Sequence, residues 1–311
     1  MPPGLIYYPD SAPGITRRRA GRGFSYTAPD GSRIERTAER QRIEALAVPP
    51  AYEDVWISPK DNGHLQATGR DARTRKQYRY HPDYSAFRAQ TKFDDLPRFG
   101  AVLPRLRRRI HALLTEGQAG DAEFAIAAAL RLMDRASLRV GTPDYAADNG
   151  TYGAATLRGR HVRLDGGTIR LDYRAKGGQR VRKQLRDRTL HRALEAMDEL
   201  PGGALMVWDG GQLTPERLNT WLREASGEEG LTAKTFRTWN GSAAALDAVL
   251  GGADTIKARA EAAAQVLHNT PTIARNSYIH PAAIDLTAPP PVPDGPAGLR
   301  QAERALLALI S

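Results

Sequence analysis

The sequence predicts an α+β protein: a small N-terminal antiparallel β-sheet domain, then a larger, mostly α-helical domain with a small β-sheet of its own. Three observations carry this expectation. Short alternating segments are confined to about the first ninety residues, long apolar-faced segments begin after Pro82, and three strand-like runs lie between 160 and 186 among the helical ones. At 311 residues the chain is long enough for two domains and for a core that buries most of its apolar surface.

Each element has its own signal. Segments 22–29 (RGFSYTAP), 54–58 (DVWIS), 64–69 (HLQATG) and 76–81 (KQYRYH) read as strands, with Pro29-Asp30-Gly31 and Asp61-Asn62-Gly63 as turns. A boundary near 85–95 divides the chain into 1–90 and 91–311. Segments 99–117 and 122–138 read as helices. The second is apolar nearly all round (Phe124, Ile126, Leu130, Leu132, Met133), the mark of a buried helix. The runs HVRLD, TIRLDYR and RVRKQL form the expected small sheet, and helical patterns return at about 188–199, 214–226, 235–249 and 254–268. The proline cluster PPPVP at 289–293 reads as a rigid linker before a last helix at about 296–310. No internal repeat is present.

Lys plus Arg number 45 against 35 Asp plus Glu, giving a net charge of +10, and a basic domain of this size usually meets a polyanion, most often nucleic acid. Cysteine is absent, which excludes disulfides, a thiol nucleophile and thiolate metal sites. The N-terminus MPPGLIYYPD lacks the basic start and apolar run of a signal peptide, and no stretch approaches the ~18 apolar residues that span a bilayer. The expectation is a soluble, cytoplasmic protein with no membrane partner. No heptad seam is visible, so a monomer is expected.

The missing chemistry narrows the field further. There is no GxxxxGK[ST] phosphate loop, the seven histidines show no ligand spacing, and no acidic cluster suited to paired magnesium ions stands out. Neither a metal nor a cofactor is expected, so an enzyme acting on nucleic acid here works with side chains alone. Phosphoryl transfer by side chains needs a nucleophile, fixed positive groups around the transition state and an acid for the leaving oxygen. Arginine suits the second role through its planar fork. Lysine suits the third because its pKa falls readily beside other cations, and tyrosine can be the nucleophile.

Several runs match that specification and are recognisable. GHLQATGRDARTRKQYRYH at 63–81, VPPAYEDVWISP at 48–59 and KFDDLPRFG at 92–100 closely resemble the N-terminal signature of bacterial and poxvirus type IB topoisomerases. SLRVGTPDYAADNGTYGAATL at 137–157 resembles the segment carrying the family's first catalytic arginine, at Arg139 here. LDYRAKGG at 171–178 resembles the hairpin of the catalytic lysine, Lys176, and KTFRTW at 234–239 the segment of the second arginine, Arg237. NTPTIARNSYIHP at 269–281 resembles the segment of the active-site tyrosine, Tyr278. The resemblance runs from about residue 25 to 285. It implies a catalytic fold like that of tyrosine recombinases and type IB topoisomerases, double-stranded DNA as partner, and no ATP or metal.

One position departs from the poxvirus pattern, in which a histidine precedes the tyrosine by nine residues. Asn269 stands there, with His268 one place earlier. On a helix one residue turns the side chain by ~100°, so the two are not expected to point the same way. An amide can still donate to a non-bridging phosphate oxygen, and that role is assigned to Asn269.

Each residue also has a plainer reading. Arg139 fits a surface helix arginine and Lys176 a turn lysine beside Gly177 and Gly178. Arg237 fits a cation–π partner of Trp239, and Tyr278 a core tyrosine. Lys183, on the next strand, is a second candidate for the lysine role. Singly the plainer readings win. Four ordered segments together favour the resemblance.

The roles that follow are those the resemblance implies. Duplex DNA is gripped between the two domains. Tyr278 attacks a backbone phosphorus, Arg139 and Arg237 neutralise developing charge, Asn269 holds a non-bridging oxygen and Lys176 protonates the leaving 5′ oxygen. Arg70, Arg73, Arg75, Lys76 and Arg79 cluster with Gln77, Tyr78 and Tyr80 in the N-terminal run. The basic residues suit phosphates, and the resemblance points to Gln77, Tyr78 and Tyr80 as groove-facing. Strand alternation requires part of this run, one tyrosine among it, to face the core. Lys234 is a further phosphate contact. A tyrosine recombinase shares the same constellation, but usually has histidine where Lys234 stands and a helical N-terminal domain. A non-catalytic DNA-binding module or an RNA-binding protein explains only the basic runs.

Overall fold

In the computed structural model, which describes every residue except Arg36, Arg73, Asp209 and Gly210, the β-rich segments of the N-terminal part close into one antiparallel sheet. The chain divides into two units, Met1–Lys92 and Phe93–Ser311. In the first, strands β1 (Ile15–Ala20), β2 (Gly23–Thr27), β3 (Glu53–Ile57), β4 (Leu65–Arg70) and β5 (Lys76–Tyr80) are ordered β2-β1-β3-β4-β5. Helix α1 (Ala38–Ala45) packs Ile43 against Ile15, Val55, Ile57 and Ala67, and α2 (Pro82–Thr91) closes the unit.

Neither β1 nor α1 announces itself in the sequence. The β1 run ITRRRA replaces an alternating apolar partner with Arg17, whose guanidinium donates to the carbonyls of Val48, Pro49 and Tyr52 at 2.9, 3.0 and 2.7 Å. A long cationic stem here does the packing of an apolar residue while its head finds acceptors. In α1 only Ile43 is buried, too little to register as a periodic stripe.

The second unit is built on helices. These are α3 (Leu96–Glu116), α4 (Ala122–Ala136), α5 (Pro143–Asn149), α6 (Arg188–Asp198), α7 (Pro215–Ser226), α8 (Ala233–Leu250), α9 (Ile256–Leu267), α10 (Pro271–Tyr278), α11 (Pro281–Ile284) and α12 (Gln301–Ile310). Strands β6 (Val162–Asp165), β7 (Thr168–Arg174) and β8 (Arg180–Arg186) make the expected small antiparallel sheet, and β9 (Val207–Trp208) pairs with β10 (Gly211–Gln212). Helix α4 is buried on nearly every face, as its composition requires.

Helix α8 lies at the centre, against α3, α4, α7, α9, α10, α11 and α12. Its Phe236 and Trp239 are fully buried. Trp239 seats over Gly100 of α3, where an added Cβ would lie 2.4 Å from the indole ring.

A buried ion cluster keys the C-terminal helix into this core. Arg107 of α3 pairs with Asp134 of α4 at 2.7 Å and with Glu303 of α12 at 2.8 Å, and Trp239 Nε1 donates to the same Glu303 carboxylate at 3.2 Å. The last helix begins at Gln301, later than expected, because Pro296 and Gly298 (φ +101°) hold the preceding turn and Arg300 caps the helix. Burial alone would raise the Glu303 carboxyl, but the Arg107 and Arg300 guanidiniums outweigh it and hold it far below the ordinary value of 4.5. A depressed carboxylate contributes stability that is present above its unfolded pKa and lost as pH falls through the folded one. Glu303→Gln is therefore expected to cost about 3 kcal/mol near neutral pH by leaving Arg107 under-paired. The gap to the wild type should close as pH falls below about 4.5 in urea unfolding, and a gap independent of pH would contradict this.

Candidate active site

The site begins where α4 and α9 end. Ser137 terminates α4 in the left-handed region (φ 54°), and His268 terminates α9 in the same way (φ 47°). The helical stretch expected to continue through 268 thus stops at Leu267, with no glycine to mark it. Asn269 lies beyond the helix, so the 100° rotation between His268 and Asn269 does not apply. Both residues line one cleft of about 1010 Å³, together with Ser137 and Lys183.

Side by side, the two chain ends are cross-linked by cations. Arg237 of α8 donates from Nη1 to the Ser137 carbonyl and from Nη2 to the Leu267 carbonyl at 2.9 Å. One residue back on each chain, Lys183 Nζ of β8 donates to the Ala136 carbonyl and to the Val266 carbonyl, the latter at 2.5 Å. Just past the two helix ends, Arg139 Nη2 donates to Asn269 Oδ1 at 2.5 Å. Because arginine offers only donors, this bond fixes the amide with Nδ2 on its other side.

Glycines and one asparagine make the approach possible. The segment after Arg139 is pinned by Ala154 N donating to the Arg139 carbonyl at 2.8 Å, and a Cβ at Gly153 would lie 2.5 Å from that carbonyl. Asn240, one turn beyond Arg237, donates from Nδ2 to the Asp134 carbonyl at 2.9 Å and to Ser137 Oγ at 3.0 Å, holding the end of α4. Gly241 admits α10, since a Cβ there would meet the Tyr278 backbone oxygen at 2.8 Å. Ser242 Oγ donates to the same oxygen at 3.3 Å. Asn240, Gly241 and Ser242 carry no motif and follow only from the packing of α8.

Tyr278, the last residue of α10, is half-buried with the Arg237 guanidinium 5.1 Å from its ring centre. Burial would raise the phenol, but Arg237, Arg139 and Lys234 together lower it below the ordinary value of 10.0. The Arg237 guanidinium, only 3% exposed, is itself lowered by burial and by Arg139. Lys183 is pushed down to about 7, first by burial and then by Arg237. His268 is lowered by burial and by Lys183, Arg237 and Arg139, which keeps its imidazole neutral near physiological pH. Two donors in this cluster, Arg237 Nε and Asn269 Nδ2, are buried without an acceptor among the described residues. Such groups are rare in folded proteins.

The sequence-derived residues are not all gathered here. Arg139, Arg237, Asn269 and Tyr278 converge, and Lys234 lies exposed one turn before Arg237. Lys176 stands exposed at the tip of the β7–β8 hairpin, between Ala175 and the left-handed Gly177 and Gly178, and its side chain contacts none of the other four. Lys183, the second candidate, is the one inside the cluster. Among the described residues no group of three or more His, Asp or Glu is placed to hold a metal ion.

In the N-terminal unit, β5 is an edge strand. Tyr78 and Tyr80 are 49% and 45% exposed and stack at 6.1 Å and 9°. Spaced by two, they share one face, so neither is the core tyrosine that alternation was expected to require. Gln77 falls on the opposite face, where it donates to Asp71 at 3.0 Å, and Arg79 donates to the Ala47 carbonyl. Arg70, Arg75 and Lys76 pair with Asp54, Asp71 and Asp10. Arg73 lies outside the described residues.

Comparison with known proteins gives the family. Residues 81–274, more than half of the chain, match the family model of the eukaryotic DNA topoisomerase I catalytic core. The chain belongs to the type IB DNA topoisomerase family. Residues 23–71 match the N-terminal domain of bacterial DNA topoisomerase IB. The DNA topoisomerase 1B of Acanthamoeba polyphaga mimivirus is 28% identical over 289 residues, covering 86% of this chain and 85% of the viral protein. The enzyme is thus a topoisomerase acting on DNA. The catalytic-core match stops at residue 274, so Tyr278 is assigned on the packing of α10 against α8.

If Asn269 Nδ2 serves a phosphate oxygen, removing it should act on the transition state more than on binding. Asn269→Ala is expected to slow single-turnover strand cleavage on the order of 10²-fold. Duplex affinity at fixed salt should stay within about twofold, since a neutral amide releases no counterion. An unchanged cleavage rate would remove Asn269 from the site.

Proposed function

We propose that this topoisomerase relaxes supercoiled duplex DNA by cutting one strand through a 3′-phosphotyrosine, letting the cut strand rotate and resealing it, without ATP or metal. The observation that supports this most directly is the half-buried Tyr278 phenol beside Arg237, within a cation cluster that holds two unspent buried donors.

The chemistry is a transesterification. The Tyr278 oxygen bonds to a backbone phosphorus while the bond from phosphorus to the 5′ oxygen breaks. The phenol proton passes to water, which is eased by the surrounding positive charge. Arg139 and Arg237 stabilise charge on the non-bridging oxygens, and Asn269 Nδ2 donates to one of them. Lys176 gives a proton to the departing 5′ oxygen once bound DNA draws the hairpin tip inward. Religation reverses every step, so the phosphodiester energy is conserved in the protein–DNA link and torsion supplies the driving force.

The same proposal assigns the rest of the surface. Arg70, Arg73, Arg75, Lys76, Arg79 and Lys234 hold phosphates. The surface ion pairs of Arg70, Arg75 and Lys76 exchange readily, because exposed pairs contribute only ~0–1 kcal/mol. Tyr78 and Tyr80 present their rings to a groove, with Gln77 reaching it from the other side of the edge strand. All converging residues of the site come from one chain, so a monomer suffices, working on nucleoid DNA in the cytoplasm.

Relaxation of negatively supercoiled plasmid in EDTA without ATP, by the wild type and by Tyr278→Phe, tests this. The expected result is relaxation by the wild type and a loss of at least about 10⁴-fold in the variant, as for removal of a covalent nucleophile. Equal relaxation by both would place the nucleophile elsewhere.

A further inference from the structure

The hairpin that carries Lys176 at its tip is anchored by a second lysine at its base. Lys183 pairs in register with Leu171 of β7 and shares the inward face of β8 with Val181 and Leu185. Alternation calls for an apolar residue at that register. Instead, a half-buried lysine stands there with no carboxylate partner among the described residues, which costs free energy that a methionine or leucine would not. What it gains is geometric. The α4 and α9 ends are bridged at Ala136 and Val266 by Lys183, at Ser137 and Leu267 by Arg237, and joined at Arg139 and Asn269 by their own bond. Lys183 is the member of this series that comes from the hairpin.

We propose that Lys183 is a positioning residue that fixes the β7–β8 hairpin to the arginine–asparagine site, so that Lys176 is delivered to the leaving 5′ oxygen. The inference rests on the reading of Lys176 as the general acid. Either protonation state can hold the anchor, since a neutral amine still has two N–H bonds for two carbonyls. To serve as the acid itself, Lys183 would have to release both acceptors. Arg180 and Arg182 pair with Asp172 of β7, within the hairpin. Near the tip, Tyr152 N donates to the Arg174 carbonyl at 2.7 Å, and Tyr173, Ala175 and Val181 are buried in the core.

A substrate with sulfur in place of the bridging 5′ oxygen separates positioning of the acid from damage to the site, because a thiolate leaves without being protonated. Single-turnover cleavage of oxygen- and sulfur-bridged duplexes at a mapped cleavage site is compared for wild type, Lys176→Ala, Lys183→Met and Lys183→Arg. Lys183→Met should slow the oxygen substrate at least about 10-fold and leave the sulfur substrate within about threefold of wild type. Lys183→Arg, which can donate to both carbonyls, should stay near wild type on both. Equal slowing of the two substrates by Lys183→Met, whatever its unfolding temperature, or no slowing of either, overturns the proposal. Lys176→Ala controls the underlying reading. If it is not slowed on oxygen while Lys183→Met is, and sulfur rescues the latter, Lys183 is itself the acid and the positioning role fails. If Lys176→Ala is slowed equally on both substrates, the general-acid assignment of Lys176 fails instead.

Discussion

Like charges repel, and the site must nonetheless hold Arg139, Arg237 and Lys183 together before any phosphate arrives. The fold seats Lys183 and Arg237 on backbone carbonyls at the ends of α4 and α9, and Arg139 on the Asn269 side chain just beyond them. Helix C-termini carry partial negative charge, roughly half an elementary charge each, so two of them converging make a favourable seat for cations. Carboxylates would seat them more tightly but would cancel the charge that the proposed phosphoryl transfer needs. The contrast within the same unit is plain: Arg107 pairs with the buried carboxylates of Asp134 and Glu303, and Arg131 with that of Asp187. Those arginines are spent on structure. Carbonyl seating alone does not make a site, since Arg17 and Arg259 are held the same way elsewhere. The distinguishing feature is several mutually repelling cations at one place, beside a tyrosine, with Arg237 Nε and Asn269 Nδ2 unspent among the described residues.

The packing around α8 brings these groups together. Helix α8 supplies Arg237 directly, fixes α4 through Asn240, and admits α10 through Gly241. Trp239 and the Arg107–Glu303 cluster in turn fix α8 against α3 and α12. Burial first and then the charge of the site lower His268, and the same charge, working against burial, lowers the Tyr278 phenol.

Much of this was legible in the sequence. The division into a β-rich part and a helical part, the buried α4, the β6–β7–β8 sheet and the four ordered segments all followed from residue patterns and resemblance. The failures have local causes. Strand β1 hid behind three consecutive arginines, one of which packs as a snorkelling side chain. The end of α9 hid because a histidine, not a glycine, takes the left-handed turn. The place of Lys183 hid because RVRKQL does not say which lysines of a hairpin face inward, and its acceptors are 47 and 83 residues away. Exposure of both tyrosines on β5 followed from their shared parity, which the sequence carries but which the expectation of one core tyrosine overlooked.

The central claim is that Tyr278 becomes covalently joined to a 3′ phosphate within this cation cluster. The direct measurement is to mix the wild-type enzyme with nicked or supercoiled duplex DNA, quench with denaturant, digest both polymers and locate the nucleotide adduct by mass spectrometry. The account predicts a nucleotide linked through its 3′ phosphate to the peptide containing Tyr278, with the free DNA end bearing a 5′ hydroxyl. An adduct on any other residue, or one linked through a 5′ phosphate, would contradict it.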